Sequence, residues 1–169
     1  MFRYFYPDEY KESSYILDYQ AFYDEGYRAV LFDIDNTLVP HGAPADDRAV
    51  QLFEKIKSIG LKPCLISNNK LNRVKPFADA VGAFYVEDAH KPSTKGYERC
   101  MQKMGTTTAN TVFVGDQLFT DVWGAKRTGL KTILVKPINP KEEIQIVLKR
   151  IPERWILYFY KKTEKNKFR

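Results

Sequence analysis

With 169 residues, 44% of them hydrophobic and 28% charged, the chain is long enough to bury a sizeable core and has the composition of a globular protein. No apolar run precedes the first charges, no stretch approaches the length of a spanning helix, and Cys64 and Cys100 lack metal-ligand spacing. Neither a disulfide scaffold nor a spanning helix is therefore expected, and the chain reads as one cytoplasmic domain over residues 1–169 with reduced cysteines.

The lead-in, residues 1–27, is rich in aromatic residues. Ala29–Phe32 reads as a first strand. Asp46 or Asp47 can cap a helix in which Ala49, Val50, Phe53, Ile56 and Ile59 recur at helical spacing until Gly60 closes it. Residues 61–66 form a second strand, residues 73–81 a helix stopped by Gly82, and residues 83–86 a short third strand. Thr94–Met104 is predicted as a helix ended by Gly105, and residues 111–114 as a fourth strand. A helix over 121–128 stops at Gly129, a fifth strand covers 132–135, and Pro140 opens a helix through about Arg150. Strands alternating with helices predict an α/β fold whose central five-stranded sheet is parallel.

Polar groups fall just past the strand ends. Asp33-Ile34-Asp35-Asn36-Thr37 follows the first strand, with two carboxylates two residues apart and so on one side of the chain. Ser67-Asn68-Asn69 follows the second, His90-Lys91-Pro92 the third, and Gly115-Asp116-Gln117-Leu118-Phe119-Thr120-Asp121 the fourth. In a doubly wound sheet such loops converge on one crevice. Paired carboxylates repel unless a cation lies between them, and oxygen ligands suit Mg²⁺. A nucleophile, a proton donor, a divalent cation and a fixed positive charge are what phosphoryl transfer needs. Taken singly, each motif has a plainer reading. The aspartates at 33 and 35 could form a turn, Ser67 could cap one, Lys91 could be an exposed lysine, and Asp116 and Asp121 could cap helices. His41 reads as a loop residue near a tight flap at Gly42 and Pro44, and Trp123 as packing.

Together, the four motifs over about residues 28–137 resemble the haloacid dehalogenase superfamily of Mg²⁺-dependent phosphatases. The resemblance implies a three-layer Rossmann-like fold, with Asp33 as the nucleophile that forms an aspartyl-phosphate and Asp35 as the group that protonates the leaving oxygen and then activates water. It implies that Ser67 binds a phosphoryl oxygen with Asn68 beside it, and that Lys91 neutralises the nucleophile and the transferring group. Asp33, the main-chain carbonyl of Asp35 and Asp116 would hold the metal, with Asp121 behind them or acting through water. A proton donor near neutral pH needs a raised pKa, which a neighbouring carboxylate can supply to Asp35.

Only 29 residues separate Thr37 from Ser67 and 23 separate Ser67 from Lys91, too few for a folded cap domain in either interval. A capless site suits a phosphate on something large. The extended motifs Asp33-Ile34-Asp35-Asn36-Thr37-Leu38-Val39-Pro40 and Gly115-Asp116-Gln117-Leu118-Phe119-Thr120-Asp121-Val122 resemble the YqeG family, in the IIIA branch related to mitochondrial phosphatidylglycerophosphate phosphatases. Pro7, the segment at Asp18 and Gly26 fit that family's lead-in. The resemblance implies a lipid phosphomonoester as substrate. Residues 141–169 hold nine Lys or Arg against four Asp or Glu, in a basic extension over 140–169. Trp155-Ile156-Leu157-Tyr158-Phe159-Tyr160 before Lys161-Lys162 can either meet a lipid interface or pack on the domain ahead of a solvated tail. The expected partner is a phosphorylated substrate, which can be a phospholipid at a membrane surface, in preference to nucleic acid. The rival functions are a phosphatase for a phosphoprotein, a nucleic-acid end or a metabolite, and a non-catalytic RNA- or protein-binding domain.

Overall fold

The computed structural model describes residues 3–139 and 144–167. Among these residues six strands form one parallel sheet: β1 (Glu9–Lys11), β2 (Ala29–Phe32), β3 (Lys62–Ile66), β4 (Phe84–Val86), β5 (Thr111–Gly115) and β6 (Lys131–Val135). Their order is β1-β6-β5-β2-β3-β4. The chain runs outward from β2 through β3 to β4, then returns to the other side of β2 with β5, so the switch point lies between β2 and β5. Leu31 pairs with Phe113 and Phe32 with Val114, which sets the loops holding Asp33 and Asp116 side by side.

Among the described residues six α-helices accompany the strands: α1 (Tyr19–Asp24), α2 (Asp47–Ile59), α3 (Leu71–Val81), α4 (Thr94–Met104), α5 (Trp123–Thr128) and α6 (Ile144–Lys167). The central strands are apolar at nearly every position because both faces are covered. Successive side chains of β2 serve opposite cores. Val30 and Phe32 pack with Phe53 and Ile56 of α2 and with Val74 and Phe77 of α3. Ala29 and Leu31 pack with Tyr97, Cys100 and Met101 of α4 and with Ala125 of α5. This is the three-layer α/β/α arrangement. Between β2 and β3 the only helix is α2, and between β3 and β4 the only helix is α3, so no cap domain interrupts either crossover.

Three features depart from the sequence prediction. The sheet has six strands, not five, because Glu9–Lys11 pairs in parallel with β6. Those three residues are half-exposed or exposed and carry no run of apolar side chains, so no hydrophobic pattern marks them. The segment predicted as a helix from 121 begins instead as a wide π-type turn over Leu118–Val122 and becomes α5 at Trp123. The C-terminal helix extends to Lys167, past the start of the predicted solvated tail, while its predicted beginning at 140–143 lies outside the described residues. Pro152 removes one backbone donor within α6. Inward packing of Ile156 with Leu118, Val122 and Leu134 fixes the helix in spite of that loss.

Asp8 locks the added strand to the sheet. Its Oδ2 accepts from the main-chain N–H and the hydroxyl of Thr132, both at 2.8 Å, and its Oδ1 accepts from Lys126 at 2.9 Å. Burial pulls the Asp8 pKa upward, but Lys126 and Thr132 outweigh it and hold the carboxyl below its ordinary value of 3.8. A depressed folded value means this stabilisation is complete above the ordinary value and fades as pH falls through the folded one. Asp8→Asn is expected to lower Tm by a few degrees at neutral pH. The gap to wild type should narrow as melts followed by circular dichroism are taken from about pH 5 toward pH 3.

Candidate active site

Four loops at the carboxyl ends of β2, β3, β4 and β5 surround a cleft of about 190 Å³ lined by Asp33, Asp35, Ser67, Lys91, Gln117 and Thr120, among others. Asp33 leaves β2 with its N–H still bonded to the carbonyl of Val114, so the sheet itself aims it. Its Oδ1 accepts from Lys91 Nζ at 2.5 Å, and the same ammonium donates to Asp121 Oδ1 at 2.7 Å. All three residues are buried.

Lys91 is presented by the second loop. The Asn68 side chain accepts from the Lys91 N–H at 2.7 Å and donates to the Lys91 carbonyl at 3.2 Å. Ala89 N–H donates to the Ser67 carbonyl, and Asp88 N–H to that of Asn69, tying the two loops together along their length. The Asn68 amide, expected beside the phosphate, is thus committed to the Lys91 backbone. Ser67 Oγ accepts two hydrogen bonds from Asn69, which leaves its own proton to be donated.

The π-type turn turns Asp121 inward. Its Oδ2 accepts from the N–H groups of Asp116 and Gln117, while Tyr97 donates its hydroxyl hydrogen toward the carbonyls of Thr120 and Asp121. A side chain at Gly115 would lie 2.7 Å from Asp121 Oδ2, so only glycine lets the carboxylate in. Asp116 Oδ1 accepts from the Thr37 hydroxyl, and its Oδ2 and carbonyl accept from Arg150 of α6. Glu153, one turn along α6, accepts from Leu118 N–H and pairs with Arg150.

Asp33, Asp116 and Asp121 each bring a carboxylate oxygen within 4.8 Å of the others. Lys91 and Arg150 supply only two positive charges against these three. Burial raises Asp33, and Lys91 lowers it less than burial and Asp121 raise it, leaving the carboxyl at about 7. Burial, Asp121 and Asp33 push Asp116 well above the carboxylate range despite Arg150. Burial disfavours the charge on Lys91, but Asp121 and Asp33 more than restore it and raise its pKa. An all-oxygen, buried, mutually repelling donor set fits a hard divalent cation.

Asp35 does not join this cluster through its carboxylate. Its Oδ1 accepts from Arg73 and from Gly42 N–H, both at 2.8 Å, and its Oδ2 accepts from Asn69 at 2.7 Å. Burial raises its pKa, but Arg73 and the Gly42 N–H outweigh that and hold it below the ordinary value. This corrects the expectation of a raised Asp35: the neighbour that counts is a guanidinium, and the raised carboxyls of the site are Asp33 and Asp116. The sequence reading also missed Arg73, Arg150 and the placement of His41 on the cleft wall. Arg73 had a signal: a cation near the start of a helix opposes the helix dipole and needs some other partner. Nothing in the pattern around Arg150 marks it.

The family described as haloacid dehalogenase-like hydrolase matches residues 41–129. The probable phosphatase YqeG of Bacillus subtilis is 34% identical over 92% of this chain and 91% of its own length. The Arabidopsis thaliana phosphatidylglycerophosphate phosphatase 1, chloroplastic/mitochondrial, is 25% identical over 81% of this chain and 42% of its own length. Among solved structures, hypothetical protein XCC2798 of Xanthomonas campestris aligns with a TM-score of 0.56 and 17% identity over 75% of this chain and 71% of that one. The cobalt-bound deoxy-D-mannose-octulosonate 8-phosphate phosphatase of Haemophilus influenzae aligns at 0.51 and 11% identity, over 67% and 80%. These two likenesses show the fold.

If the acidic cluster binds a divalent cation, Mg²⁺ added to EDTA-stripped protein should raise Tm. A hundredfold excess over Kd contributes about 2.7 kcal/mol, a rise of roughly 5–10 °C for a chain of this size. Asp116→Asn should abolish the rise while the variant keeps its native circular dichroism.

Proposed function

Because the chain belongs to the haloacid dehalogenase-like hydrolases and is a phosphatase of that family, we propose that it hydrolyses a lipid phosphomonoester, phosphatidylglycerophosphate, in a Mg²⁺-dependent reaction through an aspartyl-phosphate on Asp33. The observation that carries the phosphoryl-transfer chemistry is the Lys91 ammonium held between Asp33 and Asp121 beside Asp116. Two observations favour a large substrate: the crossovers carry no cap domain, and an Arabidopsis relative bears the name of a phosphatidylglycerophosphate phosphatase.

Asp33, Asp116 and Asp121, with the Asp35 carbonyl, would hold Mg²⁺. When bound, the cation offsets the negative charge of the carboxylates and of the phosphate. The chain's own groups do the rest. An Asp33 carboxylate oxygen attacks phosphorus as the ester oxygen departs. Lys91 keeps that carboxylate oriented and places positive charge beside it. The Ser67 hydroxyl donates to a phosphoryl oxygen, steadied from behind by Asn69.

Asp35 serves the two half-reactions differently. Bonded to Arg73 and Gly42, it is ionised and suited to take a proton from the water that attacks the phosphoenzyme. Protonating the leaving oxygen requires that Asp35 first gain a proton, which loosening of the Arg73 contact favours. Arg73 is therefore a positioning residue acting through Asp35, and its Nε is buried without a hydrogen-bond partner among the described residues.

The test is a panel of phosphatidylglycerophosphate in mixed micelles, soluble sugar phosphates, a phosphopeptide and a nucleic-acid 3′-phosphate, each with Mg²⁺ and with EDTA. Turnover of the lipid above the soluble esters is expected. Asp33→Asn is expected to reduce it by at least about a thousandfold, as loss of a covalent nucleophile does. Preference for a soluble ester would overturn the substrate, and undiminished activity in Asp33→Asn would overturn the nucleophile.

Replacing Arg73 with Lys keeps the charge but removes the planar fork. It is expected to lower kcat several-fold with little change in KM and to shift the limb of the kcat–pH profile that reports Asp35. An unchanged profile would assign Arg73 a purely structural part.

A further inference from the structure

Helix α6 has two opposed faces between Ile151 and Thr163. Glu153, Ile156 and Tyr160, spaced three and four apart, are buried. On the other side Ile151, Trp155, Tyr158 and Lys162 recur at spacings of four, three and four, with Phe159 and Arg154 flanking them. Ile151 is 53% exposed, Trp155 65%, Tyr158 60% and Phe159 41%. Ile151, Trp155 and Tyr158, three large exposed side chains along one stripe, exceed what scattered surface residues explain. The stripe is also basic: Arg154, Lys161 and Lys162 are exposed, whereas Glu153, the single acidic residue between 151 and 163, is buried against Arg150 and the Leu118 N–H.

We propose that this face of α6 seats the protein on an anionic lipid surface, with the rings at the headgroup level and Arg154 and Lys162 on lipid phosphates. Trp and Tyr have an apolar body and a polar edge, the combination that favours a membrane interface over hydrocarbon or water. Charge selects the occupant: a second copy placed about a two-fold axis would set Arg154 and Lys162 against like charges, whereas an anionic bilayer complements them. No described helix is long and apolar enough to cross a membrane, so the helix would lie in the surface plane.

The same helix reaches the catalytic cluster. Arg150, one turn before Arg154, bonds Asp116, and a cavity of about 260 Å³ is lined by Ile151, Arg154 and Leu157 together with Arg150 and Asp116. Docking through α6 therefore sets the membrane beside the loop that carries Asp116. This assignment takes its purpose from the lipid-phosphate reading, but its test is binding alone.

The full chain is floated with vesicles of phosphatidylcholine, with and without about a third phosphatidylglycerol, at low and high salt. Binding to the anionic vesicles that weakens with salt is expected. The double variant Trp155→Ala, Tyr158→Ala and the double variant Arg154→Gln, Lys162→Gln should each weaken binding about tenfold or more. Turnover of p-nitrophenyl phosphate and Tm should stay at wild-type values, showing that the variants fold. Absence of binding at low salt, or binding that both double variants retain, would overturn the proposal. So would a wild-type dimer in sedimentation that Trp155→Ala disperses, which would give the stripe to a second copy. Vesicle binding without hydrolysis of phosphatidylglycerophosphate would uphold the docking face and remove the proposed substrate. Hydrolysis in detergent micelles without vesicle binding would do the reverse.

Discussion

The ammonium of Lys91 is the group around which the rest of this architecture is arranged. It is buried, it donates to Asp33 and Asp121 at once, and a third carboxylate, Asp116, stands beside the pair. Removing one partner of a buried ion pair costs about 3–5 kcal/mol because the other charge is left unpaired. Burial of several carboxylates in so small a space is tolerable only because Lys91 and Arg150 offset part of their repulsion. The remainder is an unbalanced negative site. That imbalance is a folding cost, and it is also what makes the cluster a good host for a divalent cation and, through the cation, for a phosphate.

Each neighbouring element serves that constraint. The switch point between β2 and β5 sets the loops of Asp33 and Asp116 side by side. Asn68 grips both main-chain polar groups of Lys91, and the wide turn at Leu118–Val122 swings Asp121 into a space that only Gly115 leaves open. From the far edge, α6 closes the back of the cluster with Arg150 and Glu153. A helix that sequence places in a C-terminal extension is therefore part of the catalytic environment. Its inner face steadies Asp116, while Ile151, Trp155 and Tyr158 on its outer face are exposed.

The parts of this arrangement legible in the sequence are those with strong local patterns. The strands β2 to β6 announce themselves as apolar runs, and α2 and α4 as helical spacing closed by Gly60 and Gly105. The motif residues Asp33, Ser67, Lys91, Asp116 and Asp121 were visible because each follows such a run, and the structure gathers them around one cleft and its floor. What sequence hid was long-range pairing. Glu9–Lys11 is held by Asp8 on Thr132, more than a hundred residues away, and three half-polar residues give no period to detect. Arg73 and Arg150 act through contacts that α3 and α6 make only after folding. For the same reason the sequence does not reveal the lowered pKa of Asp35: the nearest charged group along the chain is the Asp33 carboxylate, but its charged partner in space is the Arg73 guanidinium.

If Asp33, poised by Lys91, is the nucleophile, it becomes phosphorylated during turnover. The most direct test is to quench the enzyme in acid during turnover, reduce with borohydride, which converts an acyl-phosphate to an alcohol, and map the peptides by mass spectrometry. Homoserine is expected at position 33 and at no other position, dependent on both Mg²⁺ and substrate. A modified residue elsewhere, or turnover with no trapped acyl-phosphate under conditions where hydrolysis of the intermediate is slow, would contradict it.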